Sequence, residues 1–412
     1  MPKAIALWIL SYIACNSLAT SASEALVSAY WESDDSTYTQ TKNQLISAAG
    51  GDALKLYQWL KRGPDYRTDA PRGILEQQRI ADDGARFPYV VVVPETYNAQ
   101  RPIAVEFMLH GAVNRPRWGA GGKWWNKGKK YEAYLQRDQI TVFPAAWRNA
   151  VWWSDAQADN LSSILRRLKS TYNIDDNRVY LSGVSDGGTG AYFFAFKQPS
   201  EWAAFLPYIG HMGVLTLKSE QQTGRIDIEN LVNSALFIVN GENDPVYPAK
   251  SVAPFIQILE KAKINHRYTL IENGKHDMKW FGAEQSNISV FKDQHVRDPL
   301  PEKARWITDR VDRYARIHWL KIDELSKRKN PGWISARRNG NAFTVLTQDV
   351  SRFTLLLNPD MIDFNQPVAV TLNGKPVFNG LVAQTIEILF KWAKNRDRAQ
   401  LFTAELTLEL AK

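Results

Sequence analysis

Between Phe87 and Ile271, short apolar runs alternate with longer stretches of helical spacing, and this alternation restricts the chain more than any other feature. The runs are Tyr89 to Val93, Ile103 to Leu109, Ile140 to Phe143, Arg178 to Leu181, Ala235 to Val239 and Tyr268 to Ile271. Most are apolar at successive positions, and a strand apolar on both faces must be covered on both sides. Between them, 156–171 repeats Leu161, Ile164, Leu165 and Leu168 at helical spacing, and Tyr192, Phe193, Phe194 and Phe196 mark a second, more apolar helix. The pattern predicts an α/β chain with a mainly parallel sheet covered by helices.

The flanks read differently. Residues 23–84 form an expected N-terminal helical extension, carried by Asn43 to Ile46 and Ala53 to Leu60 and broken at Gly63-Pro64. Residues 85–327 hold the alternating pattern. From 328 to 412 the runs Phe353 to Leu357, Val368 to Leu372 and Leu401 to Leu408, with Asn339-Gly340 and Asn373-Gly374 as tight-turn sites, predict a small β-rich domain. A chain of 412 residues accommodates such a division, at about 150 residues per domain. Residues 1–22 follow the order of a secretion signal: Lys3, an apolar run from Ala4 to Ala14, then small residues to Ala22. The chain is expected to be exported, to a bacterial periplasm or beyond. Ile13-Ala14-Cys15 offers lipid anchoring at Cys15 as the alternative. Cys15 is the single cysteine, so cleavage after Ala22 leaves no disulfide and no thiol nucleophile.

The net charge of +8 comes from 51 Lys and Arg against 43 Asp and Glu, interspersed along the chain. No basic arm or zinc-finger spacing points to nucleic acid. No apolar stretch beyond the N-terminus reaches the ~20 residues of a membrane span, so none is expected in the mature chain.

The chemistry concentrates at Gly183-Val184-Ser185-Asp186-Gly187, a Gly-x-Ser-x-Gly element between a predicted strand and a predicted helix. In that context the serine sits on a sharp turn that lifts its hydroxyl above the sheet edge. A serine needs a base and an acid to orient the base. The expected chain order is Ser, then Asp or Glu, then His. Asp244 follows the strand ending at Asn240, with Glu242 and Asp277 as alternative acids. His276 follows the next strand, with His211 as the weaker alternative because it precedes Asp244. A developing oxyanion requires N–H donors. The backbone of Asp186 supplies one, and Ala112, after Leu109-His110-Gly111, supplies the other, with Gly111 and Val113 as alternatives.

These residues carry a resemblance. Phe87-Pro88-Tyr89, Pro94-Glu95-Thr96-Tyr97, Leu109-His110-Gly111, Gly183 to Gly188, Asp244 and Gly274-Lys275-His276-Asp277 resemble the α/β-hydrolases. Within them the chain is similar to the exported esterase branch of polyhydroxybutyrate-depolymerase-like and feruloyl-esterase-like enzymes, also described as peptidases. Ala112 and Val113 stand where that branch has Cys or Gly. The resemblance implies a cofactor-free and metal-free serine esterase with a Ser185, His276, Asp244 triad, acting on a small-molecule or polymer ester.

Trp118, Trp124 and Trp125, with Trp147, Trp152 and Trp153, fall in loops after strands that precede the nucleophile. Together with His110 and His211 they are candidate substrate contacts, the rings by stacking. Mutual packing of the tryptophans is the alternative. The same triad would serve a serine peptidase of the prolyl-oligopeptidase type, although no propeller fits before residue 85. A non-catalytic polymer- or envelope-binding protein would not need Ser185 at all.

Overall fold

The computed structural model describes residues 23–34, 36–116, 128–217, 223–327 and 330–410. The expected signal at 1–22, Cys15 included, and Trp118, Trp124 and Trp125 lie outside them. Among the described residues, no helix is long and apolar enough to cross a membrane.

One sheet of eight strands forms the centre: β1 (Gly73–Ile80), β2 (Arg86–Val93), β3 (Ile103–Leu109), β4 (Gln139–Pro144), β5 (Ile174–Val184), β6 (Ala204–Tyr208), β7 (Leu236–Gly241) and β8 (His266–Ile271). Their order is β1-β2-β4-β3-β5-β6-β7-β8. β2 runs antiparallel to β1 and β4, and every pair from β4 to β8 is parallel. The chain moves from β3 to β4 on one side and then returns to place β5 on the other. That reversal leaves a crevice beyond the strand ends, where an open α/β sheet binds its ligands.

The helices are α1 (23–32), α2 (Tyr38–Ala49), α3 (Ala53–Arg62), α4 (Gly128–Glu132), α5 (Asp155–Thr171), α6 (Asp186–Lys197), α7 (Ala249–Lys261), α8 (Phe281–Gln294) and α9 (Ile386–Ala393). α5 starts at Ser154, whose hydroxyl accepts from the Gln157 N–H, and it buries the predicted stripe of Leu161, Ile164, Leu165 and Leu168. α6 is apolar all round and buried from Gly187 to Lys197.

Two further sheets complete the chain. One takes the order β16 (Lys375–Gly380), β15 (Val368–Leu372), β13 (Ala342–Gln348), β12 (Gly332–Asn339), β9 (Lys303–Thr308). The other is β10 (Arg316–Ile317), β11 (Leu320–Leu325), β14 (Val350–Leu357), β17 (Ala404–Glu409). Together they enclose a second core around Trp306, Trp319, Ile322, Phe343 and Phe353. Asn373 and Gly374 both take positive φ, 49° and 81°, in the β15–β16 turn, as that dipeptide predicts. In the β12–β13 hairpin, Asn339 still pairs with Ala342, so the two-residue loop is Gly340-Asn341, one position later than expected.

Two expected boundaries differ from the strands observed. Residues 23–84 are not helical throughout, because β1 pairs along its whole length with β2 and extends the central sheet back to Gly73. β1 is an edge strand with four polar or charged side chains (Glu76, Gln77, Gln78 and Arg79) among its eight residues and with Ile80 exposed, so no apolar run marks it. The β-rich part begins before 328, because β9, β10 and β11 belong to its two sheets. Burial alternates along β9 and β11, each with only three apolar residues among six, and β10 is two residues long.

Candidate active site

Four strand ends meet at the crevice. β5 runs directly into α6, and Ser185 between them has φ 58° and ψ −118°, a conformation rare for a residue with a side chain. Its N–H donates to the Tyr208 carbonyl at 2.9 Å, and its carbonyl accepts from the Thr189 N–H at 3.0 Å, so both flanks hold the turn. Glycine is required on either side. A Cβ on Gly183 would lie 2.1 Å from the Gly187 carbonyl oxygen, and one on Gly187 would lie 2.1 Å from the Leu109 carbonyl oxygen.

The loops after β7 and β8 are clamped together. The Glu242 N–H donates to the Ile271 carbonyl at 3.0 Å, and the Asn243 N–H donates to the Gly274 carbonyl at 2.8 Å. Asp244 then turns inward with its side chain fully buried. Its Oδ1 accepts from the Val246 and Tyr247 N–H groups at 2.8 and 2.9 Å. Its Oδ2 lies 2.7 Å from His276 Nδ1, and His276 Nε2 lies 2.8 Å from Ser185 Oγ. An ionised carboxylate only accepts, so Nδ1 carries the proton and Nε2 is left to accept from the serine hydroxyl. The three side chains thus form one chain of hydrogen bonds. The Tyr247 ring stands edge-on to the imidazole, centroids 5.7 Å apart.

The alternative acids are engaged elsewhere. Glu242 Oε2 accepts from the Asn273 N–H, and Asp277 Oδ1 accepts from the Lys279 N–H.

The loop after β3 passes directly against the serine, since a Cβ on Gly111 would meet Ser185 Cβ at 2.9 Å. Ala112 takes φ 58°. The Val113 N–H donates to Asp186 Oδ2 at 2.9 Å, which removes Val113 as a free donor. The Ala112 and Asp186 N–H groups make no such bond among the described residues.

His110 and His211, both expected as substrate contacts, place their ring nitrogens against backbone groups. His110 Nδ1 lies 2.7 Å from the Gly111 carbonyl, and its Nε2 accepts from the Ala146 N–H at 3.0 Å. Burial pushes its pKa down to about 4, so the ring is neutral. His211 Nδ1 accepts from the Gly213 N–H, and Nε2 faces the Ser251 carbonyl at 3.1 Å. Both histidines follow strand ends, where backbone groups have lost their ladder partners. Trp147, Trp152 and Trp153 are buried. Trp152 packs edge-on against His110 and donates to its carbonyl at 2.7 Å, and Trp147 packs against Phe87. The contacts of Asp186, Trp152 and Tyr247 were not read from the sequence; only the Asp-Pro turn at 244–245 hinted that nearby N–H groups would close on that carboxylate.

Residues 71–293, just over half the chain, match the dienelactone hydrolase family. The chain belongs to that family. Membership of the dienelactone hydrolases covers the sheet from β1 through most of α8, including Ser185, Asp244 and His276, and leaves α1 to α3 and both C-terminal sheets outside. A bifunctional acetylxylan esterase/xylanase of Neocallimastix patriciarum is 26% identical over 180 residues, 43% of this chain. That match spans about a quarter (24%) of the relative's length. Among solved structures, a thermostable esterase is similar at 22% identity and TM-score 0.44, over 54% of this chain and 63% of that one. An S-formylglutathione hydrolase of Staphylococcus aureus (16%, TM-score 0.42) and a ferulic acid esterase (16%, TM-score 0.40) each match 54% of this chain, over 99% and 98% of their own.

Proposed function

We propose that this dienelactone hydrolase family member is a serine hydrolase that cleaves carboxylic esters. One observation carries the reading: the His276 ring bridges Ser185 Oγ at 2.8 Å and Asp244 Oδ2 at 2.7 Å. Ser185 attacks the acyl carbon while His276 Nε2 takes its proton. Asp244 holds the ring in the tautomer that makes Nε2 a base and stabilises the imidazolium that forms. The N–H groups of Asp186 and Ala112 receive the oxyanion. The alcohol leaves with the proton from His276, and water then cleaves the acyl-enzyme by the same route.

The substrate is a small-molecule or polymer ester, and the relative's name makes acetylated xylan the first polymer to try. Residues 1–22 serve as an export signal, which their charged, apolar, small-residue order supports. The central sheet and its helices form the catalytic unit, with the N-terminal helices and the C-terminal sheets packed onto it.

Release of nitrophenol from short and long acyl esters tests the reading. Ser185→Ala is expected to lower kcat by roughly 10⁴-fold or more. Full activity in that variant would place the nucleophile elsewhere, and an inactive wild type would direct the search to amides.

A further inference from the structure

The left-handed conformation of Ala112 is held from both sides, and one of the two holds comes from the residue that follows the nucleophile. The peptide linking Gly111 to Ala112 is fixed through its carbonyl, 2.7 Å from His110 Nδ1. His110 is itself anchored by the Ala146 N–H and by Trp152. In a trans peptide the carbonyl and the N–H point opposite ways, so holding the Gly111 carbonyl also aims the Ala112 N–H. The next peptide, linking Ala112 to Val113, is fixed through its N–H, which donates to Asp186 Oδ2 at 2.9 Å. Pinning both peptide planes determines φ and ψ of Ala112. Nothing local would do so, because φ 58° costs a residue with a Cβ about 1 kcal/mol or more.

We infer that the Asp186 side chain is a positioning residue for the oxyanion site: through Val113 it locks Ala112 in the conformation that aims the Ala112 N–H beside Ser185. This rests on the reading of Ser185 as nucleophile and goes beyond it, by giving the side chain of the following residue a role separate from that of its own N–H. Asp186 is the first residue of α6, so its carboxylate ties the oxyanion loop to the turn that carries the nucleophile. Val113 is buried at 3% exposure, so water does not replace the carboxylate as its partner. The role calls for an acceptor and not for a charge. A negative charge beside a developing oxyanion opposes it, so an asparagine, which keeps the acceptor, preserves the function.

The test compares full-length wild type, Asp186→Asn, Asp186→Ala and Asp186→Ser in two assays. One is the rate at which a fluorophosphonate labels Ser185, and the other is kcat and KM on nitrophenyl acetate. Alanine, and serine whose hydroxyl falls short of Val113, are expected to lower kcat and the labelling rate by about tenfold or more while KM stays within about twofold. Asparagine is expected to stay within about threefold of wild type in both. The serine variant keeps a polar first-turn residue and carries the comparison should alanine not fold. The inference is overturned if the alanine or serine variant labels at the wild-type rate, or if asparagine is as slow as they are. A wild type that labels rapidly yet hydrolyses no ester would sink the ester reading alone, since the labelling rates still decide the role of Asp186. A wild type that does not label would overturn both.

Discussion

Ser185 and Ala112 share a φ of 58°, and each is held there by partners outside its own segment. Strain of this kind persists only where surroundings over-determine it, and here the surroundings are backbone groups packed without room for a Cβ at Gly183 or Gly187. Asp244 combines two tasks at the same scale. One oxygen closes its own turn through Val246 and Tyr247, and the other faces His276. Asp244→Asn keeps the shape but offers an NH₂ or a poorer acceptor to Nδ1, so the imidazole loses its productive tautomer. Its kcat on nitrophenyl esters is expected to fall about 10⁴-fold with the fold intact by circular dichroism. A loss under about tenfold would show that another group orients the base.

At the scale of elements, α9 sits between the two cores: Trp392 packs on Phe402 in the core of the C-terminal sheets, and the opposite side faces the rest of the chain. Leu389, Phe390 and Ala393 join the core of the central sheet and the N-terminal helices. The Phe390 ring lies edge-on to Tyr30 of α1 at 5.3 Å, and the Tyr38 hydroxyl of α2 donates to the Phe390 carbonyl at 3.4 Å. A helix of eight residues has little stability of its own, so this packing is what forms it. Phe390→Ala empties a fully buried site and is expected to cost about 3–5 kcal/mol in urea unfolding. A cost below about 1 kcal/mol would mean that α9 contributes little to holding the N-terminal helices.

Across the whole molecule, a buried ion network joins the segments. Asp397 pairs with Arg297 at 2.7 Å and with Lys169 at 3.4 Å, Lys169 pairs with Asp176 at 2.7 Å, and Arg398 reaches Asp176 at 3.4 Å. Arg396 donates to the Tyr30 carbonyl at 2.8 Å. Beside it, His318 is fully enclosed, and burial, reinforced by Arg297 and Arg316, pushes its pKa down to about 3. His110 is held down at about 4. In the unfolded chain both would take up a proton near pH 6.5, whereas the folded protein refuses it until far lower pH. Stability is therefore complete above about pH 6.5 and falls as the pH drops toward 4, by up to about 1.4 kcal/mol per pH unit for each ring. Asp227, whose carboxyl burial raises, works weakly in the opposite sense. Urea unfolding is expected to show a loss of about 2 kcal/mol between pH 6 and pH 5, roughly halved in His318→Asn. A flat profile over that interval would contradict the neutral, buried state of the two rings.

The sequence alone was enough for the α/β fold class, because doubly buried strands leave continuous apolar runs and covering helices leave a 3.6-residue stripe. It was also enough to place Ser185, Asp244 and His276, in that order, just beyond strand ends, here those of β5, β7 and β8, since turn chemistry and chain order are local. It was silent where burial depends on partners distant in the chain. The polar edge strand β1 gains its place from β2, and β9 to β11 gain theirs from strands that follow them. Lys394-Asn395-Arg396-Asp397-Arg398 has no apolar residue, yet Arg396 and Asp397 are buried. Their partners, Lys169 and Arg297 for Asp397 and the Tyr30 carbonyl for Arg396, come from segments 100 or more residues away. The bond from Val113 to Asp186, 73 positions apart, belongs to the same class. Local periodicity encodes which residues must be hidden from water, and only the tertiary structure decides which distant groups make it possible to hide a charge or hold a strained turn.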